Sequence, residues 1–297
     1  MNAKAVSRKV IYALAAIAVA FAASMLWGNP QAHAASSTVA RIVDNRGFQK
    51  ASYNDLQAAF NAVEDNQRIQ LTKDIDARKT FRIDRGKTFN LDLHGHTITS
   101  ELMSIDYILR IENGCVNISN SGFGTNRQTG IIGKYTARCI RLASGQLNIW
   151  TNDRTIYKGG RVADVCGGEL NISGGTYENS IVVLNPDAKL SISSGNFERN
   201  VKISAKGSNA CDMKITGGEF LAKITNTGKT GFITGGKFHY LRMPNEKYIH
   251  PEYYKVEDSI TREGRTETAY RIEKKPPSAA SMSDSESVEK DPVGSGK

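Results

Sequence analysis

From residue 91 onward, apolar and polar positions repeat one short pattern. An apolar residue, a polar one and a second apolar one lead into a glycine-bearing turn, and a bulky residue follows. The copies are Leu91-Asp92-Leu93 with Ile98, Val116-Asn117-Ile118 with Phe123, Leu147-Asn148-Ile149, Leu170-Asn171-Ile172 with Tyr177, Leu190-Ser191-Ile192 with Phe197, Met213-Lys214-Ile215 with Phe220, and Gly231-Phe232-Ile233 with Phe238. Only the third copy, with Arg154 five residues after Ile149, lacks the bulky residue. The second apolar positions lie 25, 31, 23, 20, 23 and 18 residues apart, a spacing typical of stacked repeats.

Alternation with a period of two puts the flanking apolar side chains on one face and the Asn on the other, so each copy is a strand with its apolar face inward. A second row, Ile111, Leu142, Val165, Leu184, Ile203 and Ile224, gives each copy at least two short strands. One copy alone cannot bury its apolar face, but stacked copies pair strand to strand and form continuous inward columns. The pattern predicts an all-β parallel β-helix solenoid of about seven coils. A leucine-rich repeat would need a Leu-rich signature with Asn at its bend, where this chain has Gly-Gly and Phe.

The ends of such a stack need covers. Ser52 with Asp55 three residues later resembles a capping box, and Leu56, Ala59, Phe60 and Val63 then form one face of a capping helix near residues 52–65. Residues 254–260 and 266–272 flank Glu263-Gly264 and predict a hairpin cap near 253–272. The stretch Tyr53-Asn54-Asp55-Leu56-Gln57-Ala58-Ala59-Phe60, then Ile69-Gln70-Leu71, then Leu91-Asp92-Leu93-His94-Gly95-His96-Thr97-Ile98, resembles the opening of secreted right-handed β-helix proteins of the pectate-lyase-like class. The likeness extends over roughly residues 50–272 and implies a right-handed solenoid. That class contains polysaccharide lyases and hydrolases as well as non-catalytic surface repeat proteins.

Composition adds an address. Lys4, Arg8 and Lys9 precede an apolar run from Val10 to Trp27 and a small-residue site at Ala32-His33-Ala34, which reads as a secretory signal cleaved between Ala34 and Ala35. No second apolar segment of membrane length follows. The domain reading is signal 1–34, β-helix 35–273 and a disordered tail 274–297, because the tail has almost no apolar residues to offset ordering entropy. Losing the signal lowers the formal charge from +9 to +6, all of it on residues 35–273.

Chemistry is sparse. The chain has no Asp-Asp, Gly-His-Gly or Arg-Ile-Lys, the motifs of a polygalacturonase-like site. Asp164, aligned beside Arg141, is the nearest approach to a Ca²⁺-type acidic site and reads as an exposed cross-strand ion pair. His94 and His96 flank Gly95 in a turn and read as turn residues. Residues 231–237 resemble a phosphate loop, but Phe238 stands where a Mg²⁺-binding hydroxyl belongs. Asn117, Asn148 and Asn171 align as a self-bonding stack. Cys115, Cys139, Cys166 and Cys211 share no row, so disulfides are permitted by export but no pairing is specified. No cofactor or metal is implied.

The outward positions of the second strand carry Arg110, Arg141, Asp164, Val183, Lys202 and Lys223, so four of six coils offer a cation on one face. Stacked cations repel unless a polyanion bridges them. The expectation is a secreted or cell-surface protein, non-catalytic, that binds an acidic polysaccharide, wall polymer or host surface through Arg110, Arg141, Lys202 and Lys223. The alternative is a lyase or hydrolase acting on an acidic glycan. Nucleic acid is not expected, since the basic excess is modest and no recognition motif occurs.

Overall fold

The computed structural model describes residues 38–276 apart from 102–105, 123–127, 135, 200, 206–210, 227 and 263. The signal, its cleavage site, Phe123 and most of the expected tail lie outside the described residues. The chain is all-β, with parallel sheets and very little helix. Seven strands form one wholly parallel sheet, and a larger mixed sheet holds the rest.

Three inward columns organise these strands. The first runs in register through Ile69, Leu91, Ile118, Ile149, Ile172, Ile192 and Ile215, with bridges on to Ile233 and Ile249. The first copy is therefore Phe89-Asn90-Leu91, two residues earlier than the repeat pattern suggests. A two-residue slip preserves which side faces inward, so hydrophobicity alone does not detect it.

The second column holds Ile75, Ile98, Ile131, Tyr157, Tyr177, Phe197, Phe220 and Phe238. Its last five rings are stacked with centroids 5.1, 4.8, 4.7 and 4.7 Å apart. That is the spacing of neighbouring strands, so the sheet itself sets the ring separation. The third copy does have its aromatic residue. A longer turn, closed by the Arg154 amide donating to Asn152 Oδ1 at 3.1 Å, leaves Arg154 exposed and places Tyr157 in the column. In the second copy Ile131 fills the place.

The third column belongs to the seven-stranded sheet, whose strands are Phe81–Ile83, Tyr107–Ile111, Arg138–Leu142, Ala163–Val165, Ile181–Val183, Lys202–Ala205 and Lys223–Thr225. Ile111, Leu142, Val165, Val183 and Ala205 are in register, and Leu109, Ile140, Ala163, Ile181, Ile203 and Ile224 form the adjacent inward row. Leu184 is thus not a member, and Ile203 and Ile224 shift rows. The run Ile181-Val182-Val183-Leu184 has no polar residue to mark its phase, which is why sequence misplaces it.

Both ends are covered. The helix Leu56–Ala62 is capped by Asp55, whose side chain accepts from the Gln57 amide at 3.2 Å, while Ser52 belongs to the strand Gln49–Tyr53. It buries Leu56, Ala59 and Phe60, with Phe60 against the rings of Phe81 and Phe89. Gln57 also bonds the edge strand, donating to the Arg82 carbonyl and accepting from the Arg82 amide, both at 2.8 Å. Two otherwise open edge groups are thereby satisfied. At the other end, Tyr253–Arg262 and Arg265–Lys274 form a hairpin whose second strand pairs antiparallel with Lys237–His239. The hairpin reaches Lys274, one residue into the segment expected to be tail.

Candidate functional site

The outer face of the seven-stranded sheet carries a row of arginines. Register places Arg82 beside Arg110, Arg110 beside Arg141 and Arg141 beside Asp164, followed by Val182, Ser204 and Thr225. The row of four cations is therefore a row of three arginines. Arg82 joins it, and the sequence pattern misses it because its strand precedes the first recognisable copy of that row. Lys202 and Lys223 are exposed and in register with each other, but they stand two residues before Ser204 and Thr225, displaced along the strands from the arginine row.

Stacked guanidinium groups about 4.8 Å apart along the sheet repel, and the structure shows how this is contained. Arg110 is ion-paired with Glu112, the residue just past the end of its strand. Asp164 is only 1% exposed. Its Oδ1 accepts from Arg161 Nη1 at 2.6 Å, and its Oδ2 accepts from the Tyr107 hydroxyl at 2.7 Å and from Arg138 Nη1 at 3.4 Å. Arg138 also donates to the Tyr107 oxygen at 2.8 Å. The expectation of an exposed Arg141–Asp164 pair is corrected on both counts, since the carboxylate is buried and its partners are Arg138 and Arg161. Burial, reinforced by the bond to Asp164, pushes the Tyr107 phenol above its ordinary value, so it stays a neutral donor.

Arg141 is left with an aromatic contact. Its guanidinium carbon lies 5.7 Å from the Tyr107 ring centroid, next to that of Arg138 at 5.3 Å. Its Nε is buried and has no hydrogen-bond partner. Among the described residues neither Arg141 nor Arg82 has an ion-pair partner, whereas Arg110, Arg138 and Arg161 each have one. Cys166 borders the cluster. Burial raises its thiol, with Arg141 and Arg110 opposing that shift.

Other sequence candidates resolve into structural roles. Asn148 donates to Asn117 at 2.7 Å and Asn171 to Asn148 at 2.9 Å, so the Asn row is a ladder, and Asn90 is in register with it. His94 sits at φ +47 with Nδ1 3.0 Å from Ser121 Oγ, while His96 Nδ1 lies 3.3 Å from Asp74. They have separate partners, and no cluster suited to a metal occurs among the described residues. In the loop 231–237, the Gly231, Ile233, Thr234 and Lys237 amides donate to backbone carbonyls and are not free to cradle phosphate. All four cysteines are free thiols.

A second feature is invisible to the sequence because it needs the hairpin. A groove of about 680 Å³ lies beside it, lined by Glu178, Glu198, Arg199, Arg262, Arg265 and Glu267. Each carboxylate there has a cation: Glu178 with Lys158 at 2.6 Å, Glu198 with Arg262 at 3.9 Å, and Glu267 with Arg199. Glu267 also meets buried His239 Nε2 at 2.9 Å. The bond to Arg199 holds the Glu267 carboxyl below its ordinary value, the opposite of what a general acid at neutral pH requires. Compared with models of protein families, with curated proteins and with solved structures, the chain matches none.

Proposed function

We propose that this protein is an exported right-handed parallel β-helix, similar in plan to the pectate-lyase-like class, whose arginine face binds an acidic polysaccharide or cell-wall polymer without cleaving it. The observation that carries the reading is the in-register row Arg82, Arg110 and Arg141, flanked by Arg138 and Arg161 on a buried carboxylate. Guanidinium groups at regular intervals suit a polymer that presents carboxylates along its length, and those without a carboxylate of their own can each bind one through charge-assisted hydrogen bonds. Export is supported by the amino-terminal charge, apolar run and Ala-His-Ala site. The solenoid is supported by three parallel columns continued through successive copies.

Binding is preferred to catalysis because the carboxylates of the groove beside the hairpin are each neutralised by a cation. The test is affinity of the purified protein for acidic and neutral glycans across a salt series, with products analysed by mass. Binding that weakens with salt and is lost in the triple variant Arg82→Gln, Arg110→Gln, Arg141→Gln supports the proposal. Cleavage products would refute the non-catalytic part. Affinity unchanged by the triple variant would remove the arginine face as the site.

A further inference from the structure

The arginine row is regular in position but not in charge. Arg110, the middle member, is neutralised by Glu112. Arg82 on one side has no carboxylate partner among the described residues. On the other side Arg141, Arg138 and Arg161 share only Asp164, which the last two already occupy. Free positive charge therefore stands on two strands, those of Arg82 and Arg141, about 10 Å apart, with a neutral step between. A pyranose ring spans roughly one strand spacing, so a polysaccharide that turns the same side of each ring to the face brings alternate sugars to alternate strands.

We infer that the face selects a polysaccharide carrying a carboxylate on every second sugar, over one carrying it on every sugar. This rests on the reading of the arginine face as a polyanion site and adds its periodicity. A polymer with a charge on each ring places a carboxylate next to the Arg110–Glu112 pair. There it must either compete with Glu112 or lie against it unpaired, and a desolvated unpaired charge is costly. The alternating polymer puts an uncharged sugar over that pair and its carboxylates over Arg82 and Arg141. The Tyr107 ring beneath Arg141 holds the guanidinium in place without neutralising it.

The experiment compares three probes of similar length on the purified full chain: unsulfated hyaluronan with a uronate on alternate sugars, polygalacturonate with one on every sugar, and neutral dextran. Hyaluronan is expected to bind about tenfold more tightly than polygalacturonate, the difference that a single charge-assisted hydrogen bond makes. Glu112→Gln frees Arg110 and should tighten polygalacturonate until the two differ by no more than about twofold. Arg82→Gln, at an exposed position, should remove the preference from the other side by weakening hyaluronan about tenfold. Equal or tighter binding of polygalacturonate by the unaltered protein would overturn the periodicity while leaving polyanion binding intact. Failure to bind either polyanion would overturn both.

Discussion

Two columns run along different sheets of the molecule, one facing in from the larger mixed sheet and one facing out from the seven-stranded sheet, and repetition affects them in opposite ways. Inside, Tyr157, Tyr177, Phe197, Phe220 and Phe238 stack at strand spacing, and each ring packs against the next with favourable dispersion. Outside, Arg82, Arg110 and Arg141 stack at the same spacing, and each added charge raises the energy of its neighbours. The inner column needs nothing but itself. In the outer one only Arg110 is answered, by Glu112, while Asp164 holds the neighbouring Arg138 and Arg161. A repeated apolar residue is thus explained by folding, whereas repeated like charge, incompletely neutralised, is what the proposed polyanion would answer.

The largest expected effect comes from disrupting the inner column. Phe197→Ala removes a fully buried ring with an aromatic neighbour on each side and should cost about 4 kcal/mol, read as a lower denaturant midpoint at unchanged slope. A loss below about 1 kcal/mol would mean the column repacks and is not a continuous stack. The next effect removes the outer containment. Asp164→Asn leaves Arg138 and Arg161 facing each other, and because both guanidinium groups are about a third exposed the expected cost is reduced to about 2 kcal/mol. Added salt should restore part of it by screening, whereas a salt-independent loss would point to packing instead.

The smallest effect separates interior from exterior without altering stability. Burial raises the Cys139 thiol to about 12, so at mildly alkaline pH it holds almost no thiolate. Cys139 and Cys211 should resist alkylation in the native protein and react on unfolding, while half-buried Cys115 and Cys166 react slowly in the native state. Mass analysis of the alkylated peptides reads this directly. Native labelling of Cys139 at the rate of Cys166 would show that the interior opens.

Much of the fold is legible from residues alone. Alternation at Leu147-Asn148-Ile149 and its relatives specifies strands and their inward face, because a period of two has only one way to bury its apolar half, and the recurrence of the same strand copy after copy specifies parallel stacking. The Asn ladder is equally visible, since identical amides in register bond to one another. Register is harder. Periodicity sets the first copy two residues late, puts Arg154 where Tyr157 stands, and takes Leu184 for Val183, each where a turn changes length or an apolar run loses its phase. The same slips merge Lys202 and Lys223 into the arginine row, while Arg82 escapes it because its strand precedes the first recognisable copy.

Stacked parallel strands, an aromatic interior and a basic exterior follow from the order of residues, because burial and alternation are local properties repeated many times. Which basic residues stand together, and which carboxylates neutralise them, follows from the folded chain alone. Asp164 meets Tyr107, 57 residues away, through the stacking of strands. A column of like apolar groups tolerates an error in register with little change, but a charge takes its meaning from its neighbours within a few ångströms, and those neighbours are set by turn lengths that periodicity does not encode.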